Sequence, residues 1–98
     1  MKVRWSPEAA DDLESIVRRI QKDNPTAARD VAQTIYDGAS HLKTLPHRGR
    51  LGRLPGSREL IFPPLPYILV YRVTGELVEI SRVYHGAQDR ERGRRPSE

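Results

Sequence analysis

The sequence predicts an α+β fold of order β-α-α-β-β-β, in which a two-helix hairpin packs on one face of a small, mostly antiparallel sheet. Three observations predict it. Residues 57–88 hold three runs rich in β-branched and aromatic side chains, separated by the turn formers Pro63-Pro64-Leu65-Pro66 and Thr74-Gly75-Glu76. Ahead of them stand two helix-start signals, Ser6-Pro7-Glu8 and Asn24-Pro25, each followed by apolar residues at helical spacing. Before the first of these, Lys2 to Trp5 reads as a short strand.

Each helix is delimited by its own chemistry. Ser6 is the N-cap of the first, Pro7 takes its first position, and Glu8 and Asp11 lie near the positive end of the helix dipole. Ala10, Leu13, Ile16, Val17 and Ile20 form its apolar stripe, which runs to about Lys22. Asn24 then caps a second helix whose stripe is Ala28, Val31, Ala32, Ile35, Ala39, Leu42 and Leu45, with Gly38 a mild internal weakness and Pro46 the terminator. The expected core is Leu13, Ile16, Ile20, Val31, Ile35, Leu42, Leu69, Tyr71, Val78 and Ile80, with Trp5 beside it.

The pleat sorts the strand residues into two rows, because successive side chains point to opposite faces. Leu69, Tyr71 and Val73 form one row of the middle strand; Ile68, Val70 and Arg72 form the other. Strict alternation in the last strand sets Val78, Ile80, Arg82 and Tyr84 on the buried face and Glu79, Ser81, Val83 and His85 on the open one.

A chain of 98 residues has room for one hydrophobic core, so a single domain over 1–98 is expected, with about 89–98 a frayed tail or a short helical turn. No apolar run approaches the roughly 20 residues that span a bilayer, and the first residues lack the apolar segment of a signal peptide, so a cytoplasmic protein is expected, not a membrane one. The absence of cysteine excludes a disulfide scaffold, a thiol nucleophile and a Cys-based zinc site. No phosphate loop or Gly-x-Gly-x-x-Gly motif occurs, and His41, His47 and His85 are scattered, so neither metal nor cofactor is expected.

Charge is distributed unevenly. Residues 1–45 carry seven Lys/Arg and seven Asp/Glu, whereas residues 46–98 carry ten and six, and every one of those ten is arginine. Arginine suits bidentate contacts to phosphate or carboxylate. Residues 46–56 form a loop by their Pro and Gly content and hold Arg48, Arg50 and Arg53 with no acid. That excess reads either as a solvated surface or as a site for nucleic acid or an acidic protein.

Several short segments in a fixed order carry a resemblance. They are Trp5-Ser6, Asn24-Pro25, Leu45-Pro46, Gly49-Arg50, Gly56-x-Arg58-Glu59-Leu60, Pro66-Tyr67-x-x-x-Tyr71-Arg72-Val73, and Val78-Glu79-Ile80-x-Arg82-Val83-x-His85-Gly86. Taken together they resemble the RelE/ParE superfamily of bacterial toxins from type II toxin–antitoxin operons, over nearly the whole chain. The resemblance implies growth arrest and neutralisation by a cognate acidic antitoxin in a hetero-oligomer. It also implies one of two targets: RelE-like members cleave messenger RNA in the ribosome, and ParE-like members act on DNA gyrase.

Cleavage at a 2′-hydroxyl needs a base, a cation for the developing phosphorane charge and an acid for the leaving oxygen. If the chain is RelE-like, the resemblance makes His85 and Arg58 the catalytic candidates. Ile68 stands where RelE-like enzymes place an arginine, and Gly86 where some place a tyrosine after the histidine, which tilts the reading towards the ParE branch. Arg48, Arg50, Arg53, Arg72, Arg82, Arg94 and Arg95 are then the candidates for binding target or antitoxin. A non-toxic nucleic-acid-binding module ranks third, because the sheet offers few aromatics for base stacking.

Overall fold

Two proline-led caps set the course of the chain. A computed structural model describes residues 1–87. Strand β1 (Lys2–Trp5) gives way at Ser6, whose Oγ accepts from Ala9 N at 3.0 Å, to helix α1 (Pro7–Gln21). Asn24 repeats the device, its Oδ1 accepting from Ala27 N at 3.0 Å at the start of α2 (Pro25–His41). The second helix stops short of the expected Leu45. Amides 42, 43 and 44 bond three residues back, to the carbonyls of Ala39, Ser40 and His41, which tightens the last turn. Pro46 disfavours helical backbone at the residue before it. Leu45 therefore leaves the stripe and is exposed.

Four further strands complete a five-stranded sheet in the order β1-β5-β4-β3-β2: β2 (Arg50–Leu51), β3 (Ser57–Phe62), β4 (Leu65–Thr74) and β5 (Leu77–His85). The last three are the antiparallel meander, and β1 joins it parallel to β5. The fold is the expected α+β hairpin-on-sheet. Strand β2 is an addition: part of the arginine loop pairs with β3, Arg50 opposite Glu59 and Leu51 opposite Arg58.

The helices cover one face, α1 over β5 and β1 and α2 over β3. Ile35, Leu42, Leu69, Tyr71, Val78 and Ile80 are the largest side chains with essentially no solvent exposure, and Ile16 and Val31 are buried beside them. Leu13, Ile20 and Trp5 are half-buried at the margin of this core, where Trp5 stacks on Tyr36 with ring centroids 6.4 Å apart. No helix among the described residues is long and apolar enough to cross a membrane.

One irregularity overturns the expected pleat at the end of β5. Val70 pairs with Arg82 but Tyr71 pairs with Ile80, so Ser81 is an extra residue without a partner on β4. Alternation resumes beyond it with the opposite sense. Val83, expected on the open face, joins the core beneath the helices, while Arg82 and Tyr84, expected among the buried row, lie opposite Val70 and Ile68 on the other face. His85 accordingly leaves the open row and pairs with Tyr67 on the helix side.

The bulge sits where β1 ends. Ser6 N bonds the carbonyl of Ile80 and Ser6 Oγ donates to that of Ser81, after which α1 turns away. The exposed edge of β5 is then met by Asp12, which accepts from Val83 N at 2.9 Å.

Candidate functional site

The open face of the sheet is built of three cross-strand rows, because residues paired across neighbouring strands share a face. Arg4, Glu79, Arg72 and Ser57 form the first; Arg50, Glu59, Val70 and Arg82 the second; Ile61, Ile68 and Tyr84 the third. Four arginines and two glutamates thus occupy one surface. Their charge is largely spent within the chain.

Arg50 donates through Nε and Nη2 to Glu59 Oε1 at 3.0 and 2.9 Å. The Glu59 side chain is only 7% exposed against 54% for Arg50, so the acid belongs to the sheet and the arginine roofs it. Arg82 grips Asp12 through two bonds of 2.7 and 3.0 Å, which raise its pKa above the ordinary value, and its guanidinium lies 5.9 Å from the centre of the Tyr84 ring. Arg72 donates to the carbonyl of Pro55 at 2.7 Å, tying the loop before β3 to the sheet. Arg4 meets Glu79 at 3.3 Å, the arginine largely in solvent and the acid partly so.

On the helix side, the row Trp5, Ile80, Tyr71, Arg58 and Leu51 crosses the sheet and runs out beyond the helices at β3 and β2. Here residues 46–49 close over it. The Tyr71 hydroxyl donates to Pro46 O and accepts from Gly49 N, both at 2.8 Å, and Arg58 Nη1 donates to the carbonyls of His47 and Gly49 at 3.2 and 2.7 Å. Two side chains thereby fix four residues of backbone. Only glycine fits at 49, since a Cβ there would stand 2.8 Å from both the Tyr71 hydroxyl and the carbonyl of Glu59. Beside this loop lies a cleft of about 220 Å³ lined by His47, Leu51, Gly56, Ser57, Arg58 and Val73.

The two catalytic candidates are not brought together. Arg58 is level with Tyr71 and His85 with Tyr67, four residues along β4 and two strands apart. At standard strand dimensions that separation is roughly 13 Å along the sheet and about 10 Å across it. The Arg58 guanidinium is moreover bonded to loop carbonyls, while His85 Nδ1 accepts from Ala87 N at 3.0 Å and its ring meets Tyr67 edge-on at 5.6 Å. Arg48 is exposed, and no side-chain partner for it occurs among the described residues; Arg53 is exposed in the loop before β3. Arg94, Arg95 and the expected tail lie outside the described residues. Among the described residues no group of three or more His, Cys, Asp or Glu could hold a metal ion.

Two contributions were not read from the sequence: the contact of Asp12 with the edge of β5, and the anchoring of residues 46–49 by Tyr71, which was expected only as a core residue. Asp12 looks like any acid of a second helical turn, and its pairing with an edge 70 residues away leaves no local signal. Tyr71 does leave one: a tyrosine in the midst of an apolar row must find partners for its hydroxyl if buried.

The two-helix hairpin on one face of a five-stranded sheet is the fold shared with RelE/ParE superfamily toxins, and the family comparisons place the chain in that superfamily. Within it, the chain belongs to the ParE toxin family of type II toxin–antitoxin systems (parDE), which matches residues 3–90. It is 38% identical over 87 residues to the protein named "Putative toxin Y4kP" of Sinorhizobium fredii (strain NBRC 101917 / NGR234), covering 89% of this chain and 90% of that one. Among solved structures it is similar to the chromosomal ParDE toxin–antitoxin system of P. aeruginosa, with a TM-score of 0.80, 27% identity and coverage of 87% of this chain and 95% of that chain. The E. coli RelBE toxin–antitoxin complex shares the fold, with a TM-score of 0.62, 17% identity and coverage of 86% and 94%.

Proposed function

We propose that this toxin arrests growth by binding DNA gyrase through its surface and without proton-transfer chemistry of its own. The observation that carries the reading is the separation of His85 from Arg58, whose guanidinium is committed to the carbonyls of His47 and Gly49. A phosphodiester held by one of these groups lies out of reach of the other, so among the described residues these two candidates do not converge on one phosphodiester. Ile68 and Gly86 further remove the arginine and tyrosine that messenger-RNA cleavage uses in RelE-like enzymes. The greater likeness to the ParDE system than to RelBE supports the same branch.

The partner that neutralises it is an acidic antitoxin bound in a hetero-oligomer, in keeping with the toxin–antitoxin systems in which its relatives occur. The arginine excess after residue 45 supplies the electrostatic counterpart. The test is induction of the chain in a bacterial host, with plasmid supercoiling and the DNA-damage response measured beside transcript integrity. Codon-phased messenger cuts with supercoiling intact overturn the gyrase reading.

A further inference from the structure

We propose that residues 46–49 form a pre-organised contact tip that engages an acidic surface on the folded protein target, with Arg48 as the charged contact and Tyr71 and Arg58 as positioning residues. The inference rests on the reading that this toxin works by surface binding, and it assigns that binding a place.

The tip is held to an unusual degree for a loop. Four side-chain bonds, two from the Tyr71 hydroxyl and two from Arg58 Nη1, act on a stretch of four residues, and Gly49 is packed too closely for any other residue. A loop so determined loses little conformational freedom on binding. What it presents is chemically selective. Arg48 and His47 are exposed, and Arg48 differs from Arg50, Arg72 and Arg82 in having no internal partner among the described residues.

Exposed apolar residues flank the charge along the chain. Leu45, Leu51 and Leu54 are 58%, 77% and 49% exposed, three of the six exposed large hydrophobic residues of the described chain within ten positions. Leu51 and His47 line the same cleft. An exposed arginine with exposed leucines on either side of it in the chain suits a protein surface carrying a carboxylate better than a hydrated phosphate backbone, where the leucines would face polar groups. Residues 46–56 contain no acid that could repel such a carboxylate. Rigidity is worth most when the partner is itself folded and cannot adapt, which favours the target enzyme over a segment that folds on binding.

The test compares the full-length chain with its Arg48→Glu, Arg48→Lys and Tyr71→Phe variants. Growth arrest on induction, gyrase supercoiling by purified protein, gel-shift of duplex DNA and thermal stability are measured. Arg48→Glu should leave Tm unchanged and raise the protein level needed for arrest by about tenfold or more, with Arg48→Lys recovering part of the loss. Tyr71→Phe should give a smaller loss together with faster amide exchange at Gly49. Arrest undiminished by Arg48→Glu overturns the inference whatever the target. Loss that tracks weakened binding to duplex DNA alone overturns the assignment to a protein partner. If the unsubstituted chain arrests growth without affecting gyrase, the gyrase reading fails while the Arg48 comparison still decides the tip. If it arrests nothing, both fall.

Discussion

Asp12 and Arg82 are joined by a pair of hydrogen bonds of 2.7 and 3.0 Å, and the same carboxylate accepts from the amide of Val83 at 2.9 Å. A residue in the first helix thus completes the edge of the last strand where the first strand ends. Its removal strands a part-buried amide and a guanidinium at once. Asp12→Ala should lower stability by roughly 1–3 kcal/mol, and Asp12→Asn by less because an acceptor remains. Urea unfolding of the three proteins measures both. A folded-state pKa raised at Arg82 contributes stability that is complete below its unfolded value and lost only as pH rises through the folded one. The contribution should therefore be flat through neutral pH and fade only in strong alkali.

The Arg50–Glu59 pair should outweigh the Arg18–Glu14 pair, although both are near 2.9 Å. Arg18 and Glu14 are about two-thirds exposed, a setting in which such pairs contribute about 0–0.5 kcal/mol. Glu59 is buried, so Arg50→Ala leaves a carboxylate without its cation. A loss of roughly 1–3 kcal/mol is expected, the half-exposure of Arg50 keeping it below that of a fully buried pair. Parallel thermal melts of Arg50→Ala and Arg18→Ala check the order.

Gly38 should not behave as a helix weakness. Replacing an interior glycine by alanine ordinarily gains about 1 kcal/mol. Here the added methyl would collide with the Phe62 ring, where α2 lies on β3. Overpacking costs about 1–3 kcal/mol, so Gly38→Ala should be destabilising on balance. Ile35→Ala and Leu69→Ala, at fully buried sites, should cost about 2–5 kcal/mol each. Chemical denaturation of the three variants settles the comparison.

His85→Ala should leave growth arrest nearly intact. The imidazole lies edge-on to Tyr67 and away from Arg58, and a binding surface has no use for a proton-transfer group. In an RNA-cleaving toxin the same change typically removes about 10² to 10⁴ of the rate. Colony survival against inducer concentration distinguishes the two.

What the sequence disclosed follows from which interactions are local. Ser6-Pro7 and Asn24-Pro25 announce the helices because capping is settled within four residues, and Thr74-Gly75 announces the β4–β5 turn for the same reason. The bulge at Ser81 carries no glycine or proline; it arises where β1 ends and Asp12 takes over the edge, a long-range event that local pattern does not record. That one residue sent His85 to the helix side and Arg82 to the open face. Strand β2 was hidden likewise, since two residues in a Gly/Pro-rich loop pair only because Glu59 and Arg58 stand opposite them. The arginines were visible as charge, but which of them are spent on Glu59, Asp12 and loop carbonyls was not.

The most direct measurement is gyrase supercoiling in the presence of the purified chain, with ribosome-dependent cleavage of a defined messenger assayed in parallel, for the unsubstituted protein and His85→Ala. Surface binding without acid–base chemistry expects supercoiling to be inhibited equally by both and the messenger to remain whole. Messenger cut in phase with codons, the cuts lost in His85→Ala and supercoiling unaffected, would contradict it.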